Sequence, residues 1–537
     1  MTDDAQSHST FALWSVFSYD SIYFHKLTKL HIQDKRLKRG KQMAFGTATA
    51  GDPKWWPAWI RFTVLANLCW FVFMGNCYSS GITTGFEDMA EEFRVGFGPL
   101  TNIISWSVFA LGVSNLFWMP LAMCIGKRPV ILISMVIFLA GLIWSVYAPT
   151  LNSLLGARIL ASFGAGSVES LGPSIIADLF LERYFATAMA LFALFLSGGS
   201  QIGPVIAGYL IADKGWRWFF KLCAILNGAN LFCCLFFLPE TSYRRPYVYG
   251  GETAAEADKE ATQMIEHKHD KRMGDDLATI PTGTAPGVPY AGTYWKDLVA
   301  FRHRGQEETG LRAFPKQLTL PWRFLLVPGA LYAAISYGVI LAGIVIISSQ
   351  MPQLFAPPPY LFDSKAIGLF TLSSFIGVIV AYPLAGPLTD LLSRTLTRAN
   401  NNIHKPEHRI PALILPFLLC PWGLILYSYT VADSKPYYAA AVGFAVQAAG
   451  LCFVPSVVLS YVVDAYPAEG GEALVLINAG KNLVAFGITK SNAQWLAKEG
   501  LKKMYGEMAA IQWAVLLLGL PLYFAGPWLR RSTQKFV

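Results

Sequence analysis

Between Leu151 and Asp178 the chain reads LNSLLGARILASFGAGSVESLGPSIIAD. A helix crossing the hydrocarbon core takes about 20 mostly apolar residues, and this stretch has that length. Before its terminal Asp178 it holds two charges, Arg158 and Glu169. A charge at such depth is costly and marks a functional group by default. Gly164, Gly166 and Gly172 lie around the pair, so neighbouring helices can approach and seat this face in a bundle interior. The spacing from Arg158 to Glu169 is close to three turns, which predicts one shared face with roughly 16 Å between them. Glu169, near mid-membrane, suits a proton carrier or a cation-binding group. The plainer reading is a structural carboxylate bonded to a neighbouring helix.

Stretches of this length recur along the chain. Spans are predicted near 59–83, 101–124, 129–148, 151–178, 185–211 and 217–238, then near 323–349, 364–391, 410–431, 436–464, 470–496 and 508–529. Two groups of about six, separated by one charged stretch, read as a carrier built from two helical bundles. The expected fold class is an all-α polytopic membrane protein with twelve transmembrane helices in two six-helix bundles. The domain plan is a cytoplasmic tail (1–58), a first bundle (59–238), a cytoplasmic linker (239–321), a second bundle (322–531) and a short cytoplasmic tail (532–537). The halves also resemble each other: with Gly164 set on Gly450, Ser174 falls on Ser460 and Asp178 on Asp464.

Composition agrees. Of 537 residues 54% are hydrophobic and only 14% charged, where soluble domains carry about 25%. Mean hydropathy is +0.41. Trp55, Trp56, Trp59, Trp216, Trp218, Trp322, Trp422 and Trp528 stand at span ends, as an interfacial aromatic belt would. The net charge of +9 sits in loops and tails rather than on one surface, which argues against nucleic acid as a partner. With the N-terminal tail inside, Lys and Arg are several-fold commoner on the cytoplasmic side, and the first outward loop is acidic, with Glu87, Asp88, Glu91 and Glu92. Both termini and the linker are therefore expected in the cytoplasm. The basic tail from His25 to Lys41 reads either as an amphipathic surface helix or as a solvated tail. The linker ends in a Gly-, Thr- and Pro-rich run that should be flexible. Eight cysteines show no metal-ligand spacing, and neither metal nor cofactor is expected.

Further candidates lie elsewhere. The eleventh predicted span holds Lys481 beside Asn482, well inside, and Lys490 nearer its end. Lys481 is placed to pair with a carboxylate across a cavity. The fifth span carries Gly199, Gly203, Pro204 and Gly208, which permit kinking and close packing. Turns with charges follow the second span (Gly126-Lys127-Arg128-Pro129) and the eighth (Asp390, then Arg394), and can dock onto neighbouring helix ends.

These residues together resemble the major facilitator superfamily, and within it the twelve-span drug:proton antiporter branch. The likeness is to the fungal subgroup typified by the yeast histidinol and polyamine permease, over about 59–531. Arg158 with Gly164 and Gly166 is similar to the fourth-span motif linked to proton coupling. Gly199-x3-Gly203-Pro204-x3-Gly208 resembles the fifth-span antiporter motif. Leu238-Pro239-Glu240-Thr241, the run Asn400 to Arg409, Asp464-Ala465-Tyr466-Pro467 and Asn478 to Asn482 fit as well. One motif departs. Where the family reads Gly-x-Leu-Ala-Asp-Arg-x-Gly-Arg after the second span, this chain has Met119 to Lys127 without the acidic and the first basic position. Asp390 and Arg394 are then the expected gate charges, working with Asp178, Arg183 and Asp464.

The resemblance implies a plasma-membrane carrier, monomeric, that exports a small organic molecule in exchange for protons. Glu169, Arg158 and Lys481 would handle the proton or the substrate charge. Asn76, Tyr78, Tyr332, Tyr337 and Gln350 are candidate cavity residues. Uptake of a cationic nutrient such as a polyamine is the first rival. A non-transporting nutrient sensor is the second, and the short linker speaks against it. The spans hold no HExxH and no paired-Asp or Ser/His catalytic spacing, so no enzyme is expected.

Overall fold

The computed structural model describes residues 53–242, 298, 311–401, 405–466 and 470–533. Among them every regular element is a helix. The basic N-terminal tail, the linker residues 243–297 and 299–310, and Pro467 lie outside the described residues, as do the side chains of Trp55 and Arg183.

In the first half the crossings are Ala58–Gly81, Phe97–Ile125, Lys127–Val146, Leu151–Leu179, Glu182–Lys214 and Trp216–Phe237. In the second they are Pro328–Phe355, Ser364–Ala399, Ile414–Ala432, Tyr437–Ala465, Gly470–Lys490, and Asn492–Leu517 continued by Gly519–Thr533. By length and composition eleven helices are apolar enough to cross a membrane. Gly470–Lys490 is the one outside that set, because it carries Glu472, Asn478, Lys481, Asn482 and Lys490. It is nonetheless packed as the eleventh span, against the second and the seventh.

Local signals set several ends. Thr150 accepts the Ser153 N–H at 3.2 Å and caps the fourth span, and Asp363 accepts the Ala366 N–H at 2.8 Å and caps the eighth. Gly126 (φ 106°) and Gly215 (φ 80°) turn the chain between the second and third spans and between the fifth and sixth. Both need the positive φ that glycine adopts without steric cost. The eighth span was expected to end near 391 but runs to Ala399. Nothing from Leu391 to Ala399 breaks a helix, and an amphipathic turn can continue past the hydrocarbon edge. The linker's tail also differs from a featureless connection. Phe314–Thr319 is helical, and the Phe314 ring lies 5.6 Å from Phe117 of the second span.

The halves are built alike. In each, the first span packs on the fifth, the third on the fourth and on the sixth, and the second on the fourth. This is the arrangement a parallel repeat produces. Between halves, the fifth span packs on the eighth and the second on the eleventh. These seams are close because small residues line them. A Cβ on Gly208 would stand 2.4 Å from the Ser364 carbonyl oxygen, and one on Gly368 2.6 Å from that of Pro204. Apolar side chains, Phe524 and Trp528 among them, cover the outside. Trp59, Trp218, Trp322 and Trp422 are likewise exposed, but Trp56 and Trp216 are core residues. The Trp216 indole N–H is satisfied by Glu92 at 2.8 Å, so its ring packs inward instead of joining the belt.

Candidate functional site

The fourth span is slightly interrupted at Gly166, where the helix Leu151–Ala165 gives way to Ser167–Leu179. That interruption leaves Glu169 in the first turn of the lower segment. N–H groups at a helix start favour a carboxylate there. Glu169 faces the eleventh span across the divide between halves. Its Oε2 lies 3.3 Å from Lys481 Nζ, and Asn482 Nδ2 donates to the same oxygen at 3.5 Å. Lys481 Nζ also sits 4.7 Å from the centre of the Tyr337 ring, a cation–π contact with the seventh span. The acid and the base keep only 7% and 5% of their side-chain surface exposed. Gly112 of the second span makes room for this approach, since a Cβ on it would stand 3.1 Å from the Ala479 carbonyl oxygen and from Asn482 Cβ.

Arg158 does something else. It is fully buried, and it donates to the carbonyls of Tyr78 (3.3 Å) and Ser79 (2.9 Å) and to Ser107 Oγ (3.2 Å). Tyr78 and Ser79 lie in the last turn of the first span, where it tightens into the turn Ile82–Gly85. Arg158 therefore holds the end of that helix, over the face of the Tyr78 ring at 4.6 Å. Its bonds are all within the first half, and none reaches Glu169. The shared face read from the spacing does not become one shared site.

At the end of the bundle that carries the basic loops, each half holds its own network. Arg409 joins Asp464 at 2.7 Å and Asp390 at 3.1 Å. Lys127 pairs with Asp178 and donates to the Ser174 carbonyl at 3.2 Å. Asp178 and Asp464, matched in the repeat, thus each take a base from the start of the span that follows the loop, the third or the ninth. Glu240 accepts the N–H groups of Lys127 (3.1 Å) and Arg128 (3.0 Å) and caps the third span. In the second half the signs are exchanged: Arg530, in the last turn of the twelfth span, forms a two-pronged pair with Glu407 at 3.0 Å and 3.0 Å. Arg394 is exposed and stands apart from the Asp390 pair. Sequence reasoning overlooked Arg409 as a gate charge although it closes the quoted Asn400–Arg409 run; no spacing rule ties it to two carboxylates on other helices.

At the opposite, acidic end, contacts do cross between halves. Lys490 Nζ donates to Asn102 Oδ1 at 2.7 Å, and Lys365 pairs with Asp213 at 2.9 Å. Between these levels, Thr371 Oγ1 donates to the Gln201 carbonyl at 3.1 Å. The fifth-span glycines serve packing. A Cβ on Gly199 would meet the Phe73 carbonyl oxygen at 2.4 Å, and one on Gly203 the Cys77 Cα at 2.8 Å, both in the first span. Pro204 brings its carbonyl against Gly368.

The cavity candidates divide. Tyr337 touches Lys481. Asn76 is half-buried and bonds back to the Val72 carbonyl at 2.9 Å. Tyr78 is sealed beneath Arg158. Tyr332 donates to the Leu516 carbonyl at 3.4 Å, and Gln350 is tied to Asn492 and, at 3.0 Å, to the Tyr505 hydroxyl. Tyr332 and Gln350 are spent on helix-to-helix bonds, because a buried polar group must find a partner. Among the described residues no cluster of three or more metal-ligating side chains occurs.

Comparison with known proteins adds the following. A sequence model of the Major Facilitator Superfamily matches residues 68–489. Protein HOL1 of Saccharomyces cerevisiae is 19% identical over 524 residues, covering 90% of this chain and 89% of its own. A probable efflux pump, mfs2, of Aspergillus flavus is 24% identical over 405 residues, covering 74% and 86%. Among solved structures, the xylose transporter XylE from E. coli in a partially occluded inward-open conformation is similar with a TM-score of 0.59 at 12% identity, over 86% of this chain and 97% of that one. At that identity the likeness speaks for the fold alone.

Proposed function

The chain belongs to the major facilitator superfamily and is an integral membrane transporter, not an enzyme; from that premise we propose that it exports a small organic molecule in exchange for protons. The observation that carries this reading is the buried Glu169–Lys481 pair, which joins the two halves. A carboxylate there holds the lysine, a proton or a substrate group, and each excludes the others. Taking up a proton removes one of the bonds that hold the halves in this arrangement, which is how a proton gradient drives alternating access. Efflux pumps among the relatives favour the outward direction. The basic face lies in the cytoplasm by the positive-inside rule, with both termini there and the plasma membrane as location. The Asp390–Arg409–Asp464 and Lys127–Asp178 networks sit at that face as gate elements, and one chain suffices for the path.

A second reading, uptake of a cationic nutrient, is favoured by the Glu169 carboxylate and the likeness to HOL1. The test is flux in proteoliposomes with and without an imposed pH gradient. Glu169→Gln is expected to abolish gradient-driven transport while exchange persists. For a cation importer the same variant raises KM instead. Wild-type flux indifferent to the gradient overturns proton coupling.

A further inference from the structure

The buried site has a charge balance that bears on what it carries. Arg158 takes no part, being wholly buried and spent on the first-span carbonyls. That leaves one acid and one base, Glu169 and Lys481, with a net charge of zero. They hold each other by a single contact of 3.3 Å. Glu169 Oε1 accepts no described bond, and Lys481 otherwise rests on the Tyr337 ring. Both keep a little exposed surface. The pair is held by one contact, unlike the two-pronged Arg530–Glu407 pair.

Replacing one partner of a buried pair leaves the other charge bare in a medium of low dielectric, and that is strongly unfavourable. A ligand with a single positive charge would bind Glu169 and strand Lys481. A ligand with a single negative charge would bind Lys481 and strand Glu169. A ligand bearing both charges exchanges with the pair group for group and leaves nothing bare. We propose that the substrate is a small zwitterion, its cationic group taken by Glu169 and its anionic group by Lys481. This inference rests on the export reading above and names its substrate class.

The test uses the full-length carrier in proteoliposomes under an imposed pH gradient. Probes share a skeleton and differ in charge: tryptophan, tryptamine, indole-3-propionate and indole-3-propionamide, with the matching phenyl and pyridyl sets. The expected result is wild-type preference for the zwitterion of a set over its three relatives by about tenfold or more, since the amine and the acid each leave a buried charge unmatched and the neutral amide pairs with neither Glu169 nor Lys481. Lys481→Gln should swing the preference to the amine, and Glu169→Gln to the acid. The Glu169→Gln/Lys481→Gln double variant strands no charge, so it keeps the test alive if a single variant fails to fold; it should lose all discrimination by charge. Gradient-driven transport of the amine or the neutral amide at or above the zwitterion's rate overturns the substrate class while leaving the export reading standing. So does an order of preference unchanged in the variants. If no probe responds to the gradient, the export reading falls and the substrate class with it.

Discussion

The Glu169–Lys481 pair and the networks at the basic face are both made of ion pairs, yet they differ in what they join. The buried pair connects one half to the other through a contact of 3.3 Å. The networks stay within a half and are shorter or multiple: Arg409 to Asp464 at 2.7 Å and to Asp390 at 3.1 Å, Arg530 to Glu407 by two bonds of 3.0 Å. The difference teaches a division of labour. Contacts within a half fasten helices that move as one body, so tightness costs nothing in function. A contact between halves has to break in each cycle; Lys365–Asp213 at 2.9 Å and Lys490–Asn102 at 2.7 Å are as short as the pairs within a half, so burial and not length sets the Glu169–Lys481 pair apart.

The comparison breaks most visibly at Glu169. Removing one partner of a buried pair costs about 3–5 kcal/mol, and Glu169→Gln should lower thermal stability by that order. Adding Lys481→Gln should restore most of it, because no charge is then stranded. Thermal unfolding of the purified protein measures both, and a single variant as stable as wild type would remove the pair from the argument.

Arg530→Ala is next. Glu407 is 2% exposed and would lose both prongs, an effect of about 3 kcal/mol by the same reasoning. Because this pair lies within a half, transport by the surviving folded protein should keep its pH dependence. A changed pH profile would place Arg530 in the coupling machinery and blur the division.

Gly208→Ala probes the seam on the acidic face. Its Cβ would stand 2.4 Å from the Ser364 carbonyl, and overpacking of this kind costs about 1–3 kcal/mol. The cost falls on the arrangement in which the fifth and eighth spans touch. Cysteines placed on the acidic side should therefore react faster with an impermeant reagent. No change in reactivity would mean that the seam stays shut in every state.

Asp390→Asn should have the smallest effect. Asp390 is 55% exposed and shares Arg409 with Asp464, so its pair is worth about 1 kcal/mol or less. That still shifts a balanced two-state equilibrium by up to several-fold. Crosslinking yield across the basic face reads it, and an effect larger than that of Gly208→Ala would reverse the ranking of seam over gate.

Hydropathy and spacing were enough for the helical membrane class and the burial of Glu169. Each long apolar stretch must satisfy its backbone internally once in lipid, and a helix is the local way to do so. Asp178 and Asp464 were legible as equivalents because a repeat preserves position along the chain. Packing chose the rest. Lys481 rather than another base faces Glu169, Arg158 holds the end of the first span, and Arg409 rather than Arg394 takes Asp390. The eleventh span was legible from its length but is too polar to count as apolar, since Lys481, Asn482 and Lys490, which lower its hydropathy, meet the other half. Burial along one helix is a local property of sequence. Which side chains meet across helices depends on the rotation and close approach of each span, and these are settled by glycines such as Gly112, Gly208 and Gly368 only once both halves are assembled.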